Sequence, residues 1–146
     1  AAEKLRAQKS IAGIMHVFIT TSRFSKGTHY GRLAAAKIHP ATAYTPRLIS
    51  AAEGMLEGIY RSGIEYKKAG VMLSEIAPAN AKQMDFFAPN DPKEQPVMKA
   101  IDRINRVWGS GTVRTVAEGI EKNWSMKRTQ LSKRYTTVWD EVLKVG

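Results

Sequence analysis

Hydrophobic and polar positions alternate in three stretches of the chain and recur at helical spacing in two others. Ile11 to Thr20 (IAGIMHVFIT) alternates, with Met15, Val17 and Ile19 on one side and Ile14, His16, Phe18 and Thr20 on the other. That pattern predicts a strand whose first set is uniformly apolar and faces a core, with the mixed set half exposed. Arg32 to His39 predicts a second strand, with Ala34, Ala36 and Ile38 facing one way and Leu33, Ala35 and Lys37 the other. Tyr66 to Leu73 predicts a third, sending Ala69, Val71 and Leu73 inward and Lys68, Gly70 and Met72 outward. Between the second and third strands, Thr45-Pro46 is a helix start, a hydroxyl cap followed by proline at the first helical position. The helix is expected to run to about Ser62, burying Leu48, Ile49, Ala52, Leu56, Ile59 and Tyr60, with Gly63 as its stop. Ala1 to Lys9 (AAEKLRAQK) consists of helix formers without an N-cap and reads as the last turns of a helix.

The order helix, strand, strand, helix, strand over residues 1–76 predicts an α+β fold, a small antiparallel sheet with helices on one face. Its other face would carry Thr20, Ala35, Lys37, Lys68 and Gly70, a small, hydroxylated and basic surface suited to something flat and negative. Residues 77–95 hold Pro78, Pro89 and Pro92 among polar residues and read as a flexible linker. From Pro96 a small mixed unit follows to residue 146. Its first helix, Val97 to about Trp108, would bury Val97, Ala100, Ile101, Ile104 and Trp108. Thr112 to Ala117 reads as a strand, and Tyr135 to Val145 fits strand or helix equally well.

Composition narrows the function. The chain has 146 residues, 43% of them hydrophobic, with a net charge of +10 from 23 basic and 13 acidic side chains. Both halves are basic, +6 over residues 1–76 and +4 over 77–146, so a polyanion is the first partner to consider. No apolar run approaches the roughly 18 residues needed to span a membrane, so no membrane association is expected. The first residue is not methionine, and the stretch reads as a piece of a longer chain. The absence of cysteine excludes disulfides, thiolate metal sites and cysteine nucleophiles, and suits a reducing cytoplasm.

Candidate chemistry concentrates in two places. Thr21, Ser22, Arg23, Lys26, Arg32, Lys37, Lys67 and Lys68 lie on or beside the predicted strands, where hydroxyls, amides and cations grip phosphates without reading bases. Gln83-Met84-Asp85-Phe86-Phe87 sets two aromatic rings in the linker, where they have no evident core to join. Each ring would gain roughly 5 kcal/mol on burial of about 200 Å². The order of glutamine amide, apolar residue, acid and two aromatics resembles the short peptide by which bacterial polymerases hold the sliding clamp. His16, His29 and His39 have no metal-ligand spacing, and no nucleophile–base pair is present, so neither a metal site nor a catalytic residue is expected. Trp108, Trp124 and Trp139 are expected in the core of the second unit.

Five stretches, AAEKLR (1–6), TSRF (21–24), YKKAGVML (66–73), QMDFF (83–87) and MKRTQLSKRYTT (126–137), together resemble the UmuC-type Y-family translesion polymerases (the catalytic subunit of DNA polymerase V). The resemblance covers essentially the whole chain. It implies that residues 1–76 are little-finger-like with the first strand missing, 77–95 a linker with a clamp-binding motif, and 96–146 the C-terminal domain of the UmuC type. It also implies a primer–template DNA duplex, the bacterial sliding clamp, a processed UmuD dimer and RecA as partners, in the SOS response to DNA damage. The carboxylates that hold Mg2+ for nucleotidyl transfer in such polymerases lie in a palm that these residues do not include, so no cofactor is expected here. The competing expectation is a stand-alone basic DNA-binding or adaptor protein.

Overall fold

The structure, a computed structural model, describes residues 1–24, 29–81, 93–119 and 131–142. Helix α1 (Ala2–Ala7) leads into β1 (Ser10–Thr20), which pairs antiparallel with β2 (Gly31–Thr42) on one side and β3 (Lys68–Pro78) on the other. Helix α2 (Thr45–Ile59) connects β2 to β3, and the sheet order is β2-β1-β3. The predicted α+β class, with a small antiparallel sheet and helices, is the class observed.

Parity along β1 holds as the sequence predicts: Met15, Val17 and Ile19 are buried, and Ile14, His16, Phe18 and Thr20 are half-buried. Met15 and Val17 join Ile38 of β2 and Leu48 of α2 in the core, with Ala52, Leu56, Ile59 and Leu73 packed around them. The helical layer is narrower than the sheet. Helix α2 packs against β1 and β2, and α1 against β1. Val71, which faces the same way as Val17, is therefore 47% exposed, and Ala69 is exposed too. The inward burial expected at both is not realised; Val71 borders a cavity of about 410 Å³, lined also by Met98, Ile101 and Asn105, instead of packed side chains.

Four boundaries move. β2 runs on to Thr42 through a cis His39–Pro40 bond, with its register to β1 shifted between Ala12 and Ile14. β3 starts at Lys68, because the Tyr66 hydroxyl is bonded to the Arg61 backbone and the Lys67 amide donates to Thr20 O at 2.9 Å. The strand continues to Pro78 because Ser10 to Ile14 pair with Ser74 to Pro78, so that its last two residues, Ala77 and Pro78, fall in the stretch read as linker. Helix α2 ends at Ile59, leaving Tyr60 exposed and Gly63 (φ +79) in the turn beyond rather than at the cap.

Thr45 does not cap α2. Its hydroxyl oxygen instead accepts from Arg6 Nη1 at 2.8 Å, and the same nitrogen donates to Ala43 O at 2.8 Å. The remaining edge of the Arg6 fork grips Asp102 of α3 (Glu94–Trp108), Nε to Oδ2 at 2.6 Å and Nη2 to Oδ1 at 2.7 Å. Arg47 of α2 holds Glu94, at the start of α3, at 2.7 Å. These pairs set the rotation of α3. Met98 is buried, whereas Val97, Ile104 and Trp108, expected to face a core, are exposed.

Beyond α3 the expected strand at Thr112–Ala117 does not form. The Asn105 side chain takes both backbone groups of Val113, donating to its carbonyl at 3.0 Å and accepting from its amide at 2.8 Å. A single 3₁₀ turn (Val116–Glu118) follows, and another (Trp139–Glu141) stands where Tyr135–Val145 fitted strand or helix. Trp108 and Trp139 are 77% and 91% exposed, so neither is core; Trp124 lies outside the described residues.

A bidentate pair this sheltered should be strongly coupled, because truncating one partner strands a desolvated charge. A thermal-denaturation double-mutant cycle of Arg6→Met and Asp102→Leu should show a coupling of about 2 kcal/mol. The double variant should be more stable than either single variant.

Candidate nucleic-acid interface

The face of the sheet opposite the helices is set by the strand register. Three rows cross it: Lys37, Ile14 and Ser74; Ala35, His16 and Met72; Leu33, Phe18 and Gly70. Thr20 and Lys68 close one end. None of these positions is acidic. Within this face His16 Nε2 and Ser74 Oγ are hydrogen-bonded at 3.0 Å across β1 and β3.

The centre of the face is more apolar than its sequence suggests. Leu33 is 58% exposed and Met72 is exposed beside it. Gly70 is not bare backbone left for a ligand: a Cβ there would lie 2.4 Å from the Phe18 ring, so the ring lies directly over it. Lys37 and Lys68 flank this apolar centre from opposite ends. Neither they nor Arg23 and Lys67 form an ion pair with a described residue, so all four cations are available to an external anion.

The β1–β2 connection contributes differently from residue to residue. Thr21 is buried; its hydroxyl oxygen accepts the Tyr30 amide at 3.0 Å and its own amide donates to Tyr30 O at 2.9 Å. It frames the loop and presents little surface. Ser22 is half-buried and its hydroxyl accepts from the Phe24 amide at 3.2 Å. Arg23 is exposed and lines, with His29 and Tyr30, an open cleft of about 390 Å³. Arg32 is opposite Ile19 and so belongs to the helix side of the sheet, away from Lys37 and Lys68. Its guanidinium lies 5.3 Å from the Tyr30 ring centroid. Lys26 and the peptide Gln83, Met84, Asp85, Phe86 and Phe87 lie outside the described residues.

A second cluster has no signal in residue spacing. Tyr30 comes from the β1–β2 connection and Tyr60 and Tyr66 from the α2–β3 connection, yet Tyr66 stands 6.1 Å from Tyr30 and 5.6 Å from Tyr60, centroid to centroid. Arg61 lies 5.0 Å from the Tyr30 centroid. The adjacency of Tyr60 and Arg61 at a helix end was the one available hint.

Among the described residues no three His, Cys, Asp or Glu side chains gather where a metal ion could be held. No helix among them is long and apolar enough to cross a membrane.

With this geometry in hand, comparison with known proteins is decisive. Residues 1–86 match the family described as the impB/mucB/samB family C-terminal domain, and residues 95–145 match a domain of unknown function, DUF4113. The chain belongs to the impB/mucB/samB family. It is 35% identical to protein UmuC of Salmonella typhimurium strain LT2 over 99% of its own length and 35% of that protein's. It is 37% identical to protein SamB of Salmonella typhimurium, over 97% of this chain and 34% of SamB. It is 36% identical to protein MucB of Escherichia coli, over 97% of this chain and 34% of MucB. The resemblance to the C-terminal part of a UmuC-type Y-family polymerase therefore holds, and the chain spans about a third of the length of these relatives.

The contact between Phe18 and Gly70 gives a check on the open face. Gly70→Ala should displace the Phe18 ring and cost about 1–3 kcal/mol by overpacking. Phe18→Leu should restore part of the loss in a chemical denaturation series.

Proposed function

We propose that this chain is the DNA-gripping and partner-docking portion of an error-prone translesion DNA polymerase. The observation that carries this reading is the open face of the sheet, which among the described residues is uncovered by helix, has no acidic position in its rows, and is flanked by Lys37 and Lys68, neither in an ion pair with a described residue. Cations at the margins of an apolar and hydroxylated surface hold phosphates at fixed separation while leaving base identity unread, as a polymerase traversing any sequence requires. Family membership supports the reading from a separate direction. Ser22 and Arg23 extend the contact along the loop. Arg32 and Thr21 contribute less to it than their sequence positions suggested, one facing the helix side and the other being buried.

In this account Gln83 to Phe87 is the tether. Met84, Phe86 and Phe87 fill an apolar pocket on a sliding clamp and the Gln83 amide orients them. The peptide alone binds near micromolar or weaker, and the attached DNA-binding surface raises its effective concentration. The exposed Trp108 and Trp139 suit partner docking better than a core, and by family resemblance the partners are a processed UmuD dimer and RecA.

Two measurements check this. Binding of a blunt duplex should fall with salt on a slope of about −4.5 for some five neutralised phosphates, reduced by about 2 in the Lys37→Gln/Lys68→Gln variant. An unchanged slope would remove these lysines from the interface. In a clamp pull-down the Phe86→Ala/Phe87→Ala variant should be lost from the bound fraction, and retention equal to the parent chain would remove the tether.

A further inference from the structure

We propose that the end of the sheet carrying Tyr30, Tyr60 and Tyr66 binds single-stranded DNA, one base stacking on the Tyr60 ring and neighbouring phosphates meeting Arg61 and Arg32. The proposal rests on the DNA-binding reading above and adds a second path, off the open face, for an unpaired strand.

The cluster is built rigidly. Tyr30 donates its hydroxyl to Ile59 O at 2.6 Å, at the last residue of α2. The Tyr66 hydroxyl accepts from the Arg61 amide at 2.8 Å and donates to the Arg61 carbonyl at 3.1 Å. Two rings are thus pinned through their phenols, and the third, Tyr60, leans on Tyr66 at an interplanar angle of 36° while remaining 55% exposed. A supported ring with half its surface in water is a stacking platform, because the energy of ordering it has been met by its neighbours.

The charges around these rings are uncompensated. Arg32 and Arg61 both lie against Tyr30, and neither forms an ion pair with a described residue. Glu65, the one carboxylate between Tyr60 and Lys68, pairs with neither. Arg32 donates from Nη1 to Gly31 O at 3.1 Å, and the remaining N–H groups of a guanidinium held against an aromatic ring can still meet a phosphate. Phe24, 97% exposed in the connection that ends at Tyr30, adds a second uncovered ring beside Arg23.

Interleaved aromatics and arginines are the recognition chemistry of an unpaired strand, in which each base offers a face for stacking. A duplex offers no such face, its bases being stacked on one another. The open face has the opposite make-up, lysines at its margins and no exposed tyrosine. The two surfaces therefore suit the two forms of DNA that meet at a primer–template junction.

The test is fluorescence anisotropy of the full 146-residue chain with a labelled oligothymidylate and, separately, a blunt duplex. Tyr60→Ala and Arg61→Gln should each weaken oligothymidylate binding about tenfold and leave duplex binding within about twofold. Tyr60→Phe, which keeps the ring, should bind as the parent chain does. Arg61→Gln leaves the Arg61 backbone bonds to Tyr66 in place, so it carries the test should Tyr60→Ala fail to fold. Equal losses on both DNAs, no loss on either, or a Tyr60→Phe as weak as Tyr60→Ala would overturn the proposal and leave the duplex reading standing. A parent chain that binds oligothymidylate but no duplex would sink the duplex reading and leave this one. Binding to neither would sink both.

Discussion

One guanidinium holds the arrangement together. Arg6 sits at the end of a short helix that lacks a side-chain cap, yet its fork reaches the β2–α2 junction through Ala43 and Thr45 and reaches α3 through Asp102. A neutral side chain could bridge some of these groups. The planar fork engages a carboxylate with two of its nitrogens while the third serves a carbonyl and a hydroxyl together. Because the side chains of Arg6 and Asp102 are only 16% and 17% exposed, the pair is worth more than a surface ion pair and is correspondingly costly to break from one side.

The functional surface follows from that constraint. With α1, α2 and α3 fastened to one another, the helical mass lies on one side of the sheet, and the far side of β1 is left bare. Bare sheet is normally either covered or charged. Here its middle is filled by Phe18 lying on Gly70 and by the His16–Ser74 hydrogen bond, and cations stand at its ends. The result is a surface with an apolar middle, cations at its ends and no acidic residue in its paired rows.

Much of this was legible in the sequence, for reasons that also explain the rest. Alternation along Ile11 to Thr20 gave the central strand and its buried face because both neighbours of β1 are strands and one side is packed. The same rule misled at Ala69 and Val71, where parity was right but both residues stay exposed, Val71 at the edge of a cavity. Periodicity also misled in α3. Val97, Ala100, Ile104 and Trp108 point outward while Met98 is buried and Ile101 half-buried, with Asp102 and Glu94 held by Arg6 and Arg47. Arg47 and Arg6 are 41 positions apart, and no local rule links either to its acidic partner. The strand expected at Thr112 to Ala117 failed for a related reason, since a single asparagine satisfies the backbone that a partner strand would otherwise have taken. As for the site, the lysines on the open face followed from strand parity, whereas the tyrosine and arginine cluster joins two connections distant in sequence and is visible only once they are folded together.

The account stands or falls on which side of the sheet meets DNA. Amide chemical-shift mapping of the chain titrated with a blunt duplex addresses this directly. The predicted result is perturbation along the open face, at His16, Phe18, Lys37, Lys68 and Gly70, with α2 quiet. Shifts concentrated on α2 and α3, with those five residues unmoved, would contradict it.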